Sequence, residues 1–149
     1  MSTPQARLEA DLKDAMKARA KERLSTLRML LTEVKNERIE RGADLDDDAF
    51  AAVVRRAIKQ RHESERQYRD GGRPELADKE KREAEILAGY LPEQVGEAEI
   101  RAAVAEFVAA EGLSGARGLG PVMKAMIQRF GATADGGTIN RIAREVLGV

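Results

Sequence analysis

One proline divides this chain. Pro92 lies in the run Gly89-Tyr90-Leu91-Pro92-Glu93-Gln94-Val95-Gly96. It has no amide hydrogen and holds Leu91 in extended backbone, so a helix arriving through Glu83 and Leu87 has to stop there. Gly96-Glu97-Ala98-Glu99 then reads as a fresh helix start. Glycine is an acceptable N-cap, and an acid three residues on is placed to bond back to the cap amide. Two helical regions are expected, 1–92 and 93–149, with long charged helices before the boundary and short, glycine-punctuated ones after it.

The material for a core supports the same fold class. The only aromatics are Phe50, Tyr68, Tyr90, Phe107 and Phe130, and there is no Trp, so Leu, Ile, Val, Met and Ala have to fill the interior. That suits interlocked helices better than a sheet, which favours aromatic and β-branched residues. Charge is balanced at 26 basic and 26 acidic side chains. Splitting the chain after residue 92 leaves each side within a single charge of neutral, so any electrostatic footprint has to come from local placement. The absence of cysteine excludes disulfides, thiolate metal sites and cysteine nucleophiles. No apolar run approaches the roughly 20 residues that span a bilayer. Met1-Ser2-Thr3-Pro4 lacks the charged and apolar regions of a secretory signal. A soluble, cytoplasmic protein without membrane contact is therefore expected.

Helix signals follow in order. Thr3-Pro4 is an N-cap followed by proline at the first helical position, and Leu8, Leu12, Ala15 and Met16 recur at helical spacing through about Arg19. Leu24, Leu27, Leu30, Leu31 and Val34 define a second helix, closed at Arg41-Gly42. Asp46-Asp47-Asp48 opens a third, with Phe50, Val54, Ala57, Ile58 and Tyr68 on its stripe and Gly71-Gly72 at its end. A fourth begins at Pro74, with a stripe (Leu76, Glu80, Glu83, Leu87, Tyr90) that is thin in the middle. The far ends of helices three and four are thus expected to project as a solvated hairpin, each needing the other to persist. Beyond the boundary, Ile100, Val104, Phe107 and Val108 mark a fifth helix ending at Gly112. A sixth starts at Gly120-Pro121, and a seventh starts at Asp135 and runs to Gly148. The fold expected is all-α: an N-terminal long-helix region with a hairpin, then a small C-terminal three-helix bundle.

A catalytic set is hard to find. His62 is the only histidine, so neither a two-histidine metal site nor a Ser-His-Asp triad has its parts. A solvated helix position is the preferred reading of His62, with a lone base as the alternative. Ser25, Ser64 and Ser114 have no motif around them. Asp44, Asp46, Asp47 and Asp48 offer oxygens to a hard cation; they lack the spacing of an EF-hand, and helix capping explains them. Gly118-Leu119-Gly120 lacks both the preceding strand and the third glycine of a dinucleotide loop. No catalytic residue, cofactor or metal site is expected.

Two cationic patterns stand out instead. On the third helix Arg55, Lys59, His62, Arg66 and Arg69 step by fours and threes. Such a stripe suits a phosphate backbone; it equally suits the acids of the fourth helix (Glu75, Asp78, Glu83, Glu85) or plain solvent. In the last 35 residues, Arg117, Lys124, Arg129, Arg141 and Arg144 surround the helix starts at Gly120 and Asp135. Amide hydrogens and guanidinium groups there would meet phosphates, or the glycines serve tight turns and the arginines solubility.

The order of motifs also resembles a known family. Met16-Lys17 with Lys21-Glu22-Arg23-Leu24-Ser25-Thr26-Leu27-Arg28-Met29-Leu30 resembles the N-terminal signature of the YqeY-like family. Tyr90-Leu91-Pro92-Glu93-Gln94 is similar to its mid-chain motif. Gly120-Pro121-Val122-Met123, Ala134-Asp135-Gly136 and Ile139-Asn140 resemble the tail domain shared with the B subunit of the glutamine-dependent aspartyl/glutamyl-tRNA amidotransferase. The likeness runs essentially end to end. It implies an all-helical protein whose C-terminal module is of the kind that helps hold tRNA in the amidotransferase, a carbon–nitrogen ligase with glutamine as amido-N-donor. The partner implied is tRNA, or a tRNA-charging or amidotransferase enzyme. This chain has no amidase serine–lysine set, ATP site or metal ligands, so a binding module is expected rather than an enzyme acting alone. Arg117, Lys124, Arg129, Arg141 and Arg144 would contact phosphates. The alternative is an adaptor whose hairpin offers an amphipathic groove to a partner helix, without RNA. Two departures from the family pattern weaken the RNA reading: Pro121 stands where relatives carry lysine, and Gln128-Arg129-Phe130-Gly131-Ala132-Thr133 holds one basic residue where they carry several. Lys124 compensates in part.

Overall fold

Helix signals in the sequence become seven α-helices in the structure, a computed structural model that describes residues 3–149. Met1 and Ser2, the start of the N-terminal run read above, lie outside the described residues. The helices are α1 (Pro4–Lys17), α2 (Lys21–Arg41), α3 (Asp47–Asp70), α4 (Pro74–Ala88), α5 (Glu97–Glu111), α6 (Leu119–Phe130) and α7 (Gly136–Leu147), with 3₁₀ turns at Ala116–Gly118 and Gly131–Thr133. No strand occurs among the described residues, and the all-α expectation holds. The chain forms two compact units, Met1–Leu91 and Pro92–Val149.

In the first unit the caps are the ones the side chains dictate. Thr3 Oγ1 accepts from the Ala6 amide at 3.1 Å, and Asp46 Oδ1 accepts from the Ala49 amide at 2.8 Å. Each satisfies an amide that the first helical turn would leave orphaned. Leu8, Leu27, Leu30, Val34, Phe50, Val53, Val54 and Leu87 form the core. The outer end of the hairpin is solvated as expected, with residues 66–75 all exposed. Tyr68, placed on the apolar stripe by its spacing, is instead exposed.

The thin middle of α4 has a physical explanation. Ala77 and Ala84 are buried, and side chains that small let the helix lie close on α3. Between them Arg61 of α3 enters, largely buried, with Nε 3.2 Å from Glu83 Oε2 and 3.9 Å from Glu80 Oε2. Its Nη2 also reaches Met29 Sδ of α2 at 3.4 Å. Burial, with Glu80 beside it, raises the Glu83 carboxyl above its ordinary range, and Arg61 only partly offsets this.

The second unit packs α5, α6 and α7 around Ile100, Val104, Val122, Met126, Ile139 and Ile142. Helix α6 begins at Leu119, one residue before the expected Gly120, because the preceding 3₁₀ turn runs straight into it. Gly118 is buried in that turn, and a Cβ there would stand 2.9 Å from Leu147 Cδ2 and 3.2 Å from Leu113 Cβ. Only glycine lets the end of α7 approach so closely.

Candidate nucleic-acid interface

The Tyr90–Gln94 motif has a structural role. The Tyr90 hydroxyl donates to Asp11 Oδ2 at 2.5 Å, and the Arg7 guanidinium lies over the ring at 4.8 Å while donating to the Gly89 carbonyl at 2.9 Å. Burial and the Asp11 carboxylate push the phenol's pKa well up. Tyr90 thereby fastens the end of α4 to α1. Gln94 does the corresponding work in the second unit: its Nε2 donates to the Ala132 carbonyl at 3.0 Å, and the Val95 amide donates to the Thr133 carbonyl at 2.9 Å. Both halves of the motif are tied down by these bonds.

The five C-terminal cations are all exposed, but their surroundings differ. Arg141 is held by Glu97 and, at 3.2 Å, by Glu145, which also pairs with Arg101. Arg101 and Arg141 together hold the Glu145 carboxyl below the usual carboxylate range. This chain of charges runs along the α5 side of α7. Arg129 lies over the Phe130 ring at 5.5 Å. Arg117 and Lys124 meet no acid among the described residues, and Arg144 is held only by the neutral Asn140 Oδ1 at 2.9 Å. Lys124 sits on the outer face of α6, opposite the buried Val122 and Met126. Arg144 shares a flank of α7 with Leu147, three residues on, and the close Gly118–Leu147 contact brings that flank to the turn bearing Arg117.

One signal missed in the sequence explains why these cations stay free. Residues 112–134 contain no Asp or Glu, so Arg117, Lys124 and Arg129 share the longest acid-free stretch of the unit, while α5 carries four of its acids, Glu97, Glu99, Glu106 and Glu111. Net neutrality hides this segregation. The helix starts contribute less than their spacing suggests: the exposed Asp135 carboxylate stands at the start of α7, where it opposes an incoming phosphate.

The stripe on α3 divides as well. Arg69 pairs with Glu65 at 2.9 Å and with Asp78 at 3.1 Å, and His62 lies 3.5 Å from Glu65. Lys59 and Arg66 are exposed and have no ion pair among the described residues. Arg55 is half-buried. The acids buried on α4 face Arg61, which was not part of the expected stripe. Of the aspartates, Asp46 caps α3 and Asp44 pairs with Arg38 at 2.8 Å. Among the described residues no group of three or more His, Asp or Glu side chains is placed to hold a metal ion, and no helix is long and apolar enough to cross a membrane.

The described chain is thus all-helical in two units, with the Tyr90–Gln94 motif serving as a structural fastening and an acid-free cationic element on the second unit. The family model described as "Yqey-like protein" matches residues 5–147, and the chain belongs to that family. It is similar to "Altered inheritance of mitochondria protein 41, mitochondrial" of Pyrenophora tritici-repentis, at 34% identity over 155 residues covering 99% of this chain and 84% of the relative. Proteins of the same name are similar to it in Lachancea thermotolerans, at 37% over 106 residues (69% of this chain, 57% of the relative), and in Clavispora lusitaniae, at 34% over 84 residues (56% and 49%). The matched segments thus span most of the first relative and about half of the other two. The expectation of a cytoplasmic protein is overturned here, because these relatives are named as mitochondrial. Its premises, no bilayer-spanning run and no secretory signal, describe a chain in any aqueous compartment equally well.

Proposed function

We propose that this YqeY-like protein is a non-catalytic, tRNA-associated accessory protein that holds RNA through its C-terminal unit. The observation that carries the reading is the acid-free stretch 112–134 with Arg117 and Lys124 exposed and unpaired. A cation already held by carboxylates gains little from a phosphate, whereas a free one releases condensed counterions when it binds. Arg144, held by a neutral amide, adds a guanidinium fork on α7, the helix whose Leu147 packs on the turn bearing Arg117. Arg141 contributes least, since Glu97 and Glu145 already occupy it.

A mobility-shift titration of bulk tRNA with the full chain tests this. The paired change Arg117→Glu and Lys124→Glu is expected to weaken binding at least about tenfold at low salt, whereas Arg141→Gln changes it less than about twofold. Absence of any tRNA shift with folded protein would overturn the reading. So would recovery from a pull-down, after nuclease treatment, of a protein partner whose capture survives the paired change.

A further inference from the structure

The signature helix α2 has a face that nothing in the fold uses. Lys21, Ser25, Arg28, Thr32, Lys35 and Ile39 step by four, three, four, three and four, and all six are exposed. They form one straight stripe along the solvent side of a 21-residue helix. Cations recur every seven residues, two helical turns or about 10.5 Å apart at 1.5 Å rise per residue, with a hydroxyl between each pair. None of the three cations has an ion pair among the described residues.

The acids of α2 are turned elsewhere. Glu22 is held by Arg82 of α4 at 2.8 Å. Glu37 is held by Arg41 at 3.0 Å and Arg56 of α3 at 3.7 Å. Glu33 is half-buried, and Glu40 lies off the stripe beside Arg41. Arg82 of α4 and Arg56 of α3, with Arg41, thus hold two of the four carboxylates of α2, while its lysines and Arg28 stay uncompensated.

The turn leading into the stripe adds a second observation. Helix α1 ends in a Schellman arrangement, with the Ala20 amide bonded to the Ala15 carbonyl at 3.0 Å and the Arg19 amide to the Met16 carbonyl at 3.2 Å. The left-handed position this motif requires is taken by Arg19, at φ 55, where glycine is the usual residue. Arg19 is the only non-glycine with positive φ among the described residues. A strained arginine stands there, between Lys17 and Lys21, where a glycine would fit without strain.

We propose that the Lys21–Lys35 face of α2, extended at the α1–α2 corner by Lys17 and Arg19, is a second interaction surface that binds the sugar–phosphate backbone of RNA. It extends the RNA reading above without resting on the C-terminal cations. The interleaved hydroxyls favour a backbone over a bilayer: a membrane-binding helix needs apolar residues among its cations, and here the exposed large hydrophobic inside the Lys21–Lys35 span, Met29, lies about 100° round the helix from Arg28 and meets Arg61 of α3, while Met16 and Ile39 lie outside that span.

The test compares full-length variants of equal charge. Lys21→Glu with Lys35→Glu is expected to lower affinity for bulk tRNA at least about tenfold and to make the slope of log K against log salt shallower by roughly 1.5–2. Lys79→Glu with Lys81→Glu, exposed on α4, is the control and should stay within about twofold. Arg19→Gly should raise the melting temperature and weaken tRNA binding together, an opposition that a structural role alone would not produce. Equal losses in the two double variants would overturn the proposal, as would an unchanged Lys21/Lys35 variant. If that variant is unchanged while the Arg117/Lys124 variant loses binding, only the C-terminal site survives. Loss of binding to anionic phosphatidylserine vesicles, rather than to tRNA, would assign the face to lipid and overturn it. Lys21→Gln with Lys35→Gln repeats the measurement without charge reversal should the first variant fold poorly.

Discussion

The two units place their charges in opposite ways. In the first, charged groups enter the interior: Arg61, Glu80 and Glu83 lie between α3 and α4, and Tyr90 is bonded to Asp11. In the second the core is apolar throughout, and the charge chain Glu97–Arg141–Glu145–Arg101 stays on the surface. A buried ion pair returns little net stability but costs a great deal when half of it is removed. An apolar core built around one close glycine contact fails differently, by overpacking. The first unit should therefore respond to charge and pH, and the second to volume.

The largest effect is expected from Arg61→Ala. It leaves the buried Glu83 and half-buried Glu80 without their cation, and should cost about 3 kcal/mol of stability, the low end for breaking such a pair. Hydrogen exchange resolved along the chain should show the loss in α3 and α4. An Arg61→Ala chain with unchanged protection there would mean that water reaches the pair freely, and the contrast between units would dissolve.

Gly118→Ala comes next. Its new Cβ meets the Leu147 and Leu113 side chains, and about 1–2 kcal/mol should be lost in the second unit. The Leu147 methyl can move aside, but Leu113 Cβ has no such freedom, which sets the lower end of that range. An unaffected melting curve would show that the end of α7 is loosely held.

Tyr90→Phe sharpens the comparison through pH. Losing the hydroxyl's bond to a carboxylate should cost about 1.5 kcal/mol near neutrality. In the native chain the raised pKa keeps the phenol protonated, while the unfolded chain releases that proton near pH 10. The unfolded state then binds fewer protons, so stability falls as pH rises beyond about 10. That alkaline slope should be smaller in Tyr90→Phe than in the parent; equal slopes would place the phenol in water.

Much of this fold was legible because helix ends are written in local chemistry. Thr3, Asp46, Gly42 and Gly112 all cap or close helices where their residue types indicate. The interior of the hairpin was not legible. Stepping by threes and fours offered the acids of α4 to a stripe through Arg55 and Arg69; Arg69 does take Asp78, whereas Glu83 goes to Arg61, off that stripe. Periodicity says which residues share a face, and only packing decides which faces meet. The free cations were visible in principle, as an acid-free run after Glu111 and a stripe from Lys21 to Ile39. Net neutrality concealed both until their acidic neighbours were seen to be engaged elsewhere. Compartment was not legible at all, since nothing in helix packing distinguishes one aqueous space from another.

The most direct measurement is the salt dependence of tRNA binding by the intact chain. Saturable binding is expected near 50 mM salt, with log K falling linearly against log salt and a slope of at least about −3, from the several free cations each displacing counterions. A chain that is folded yet shows no saturable binding at that salt, or binds with a slope near zero, would contradict the reading that these exposed cations exist to hold RNA.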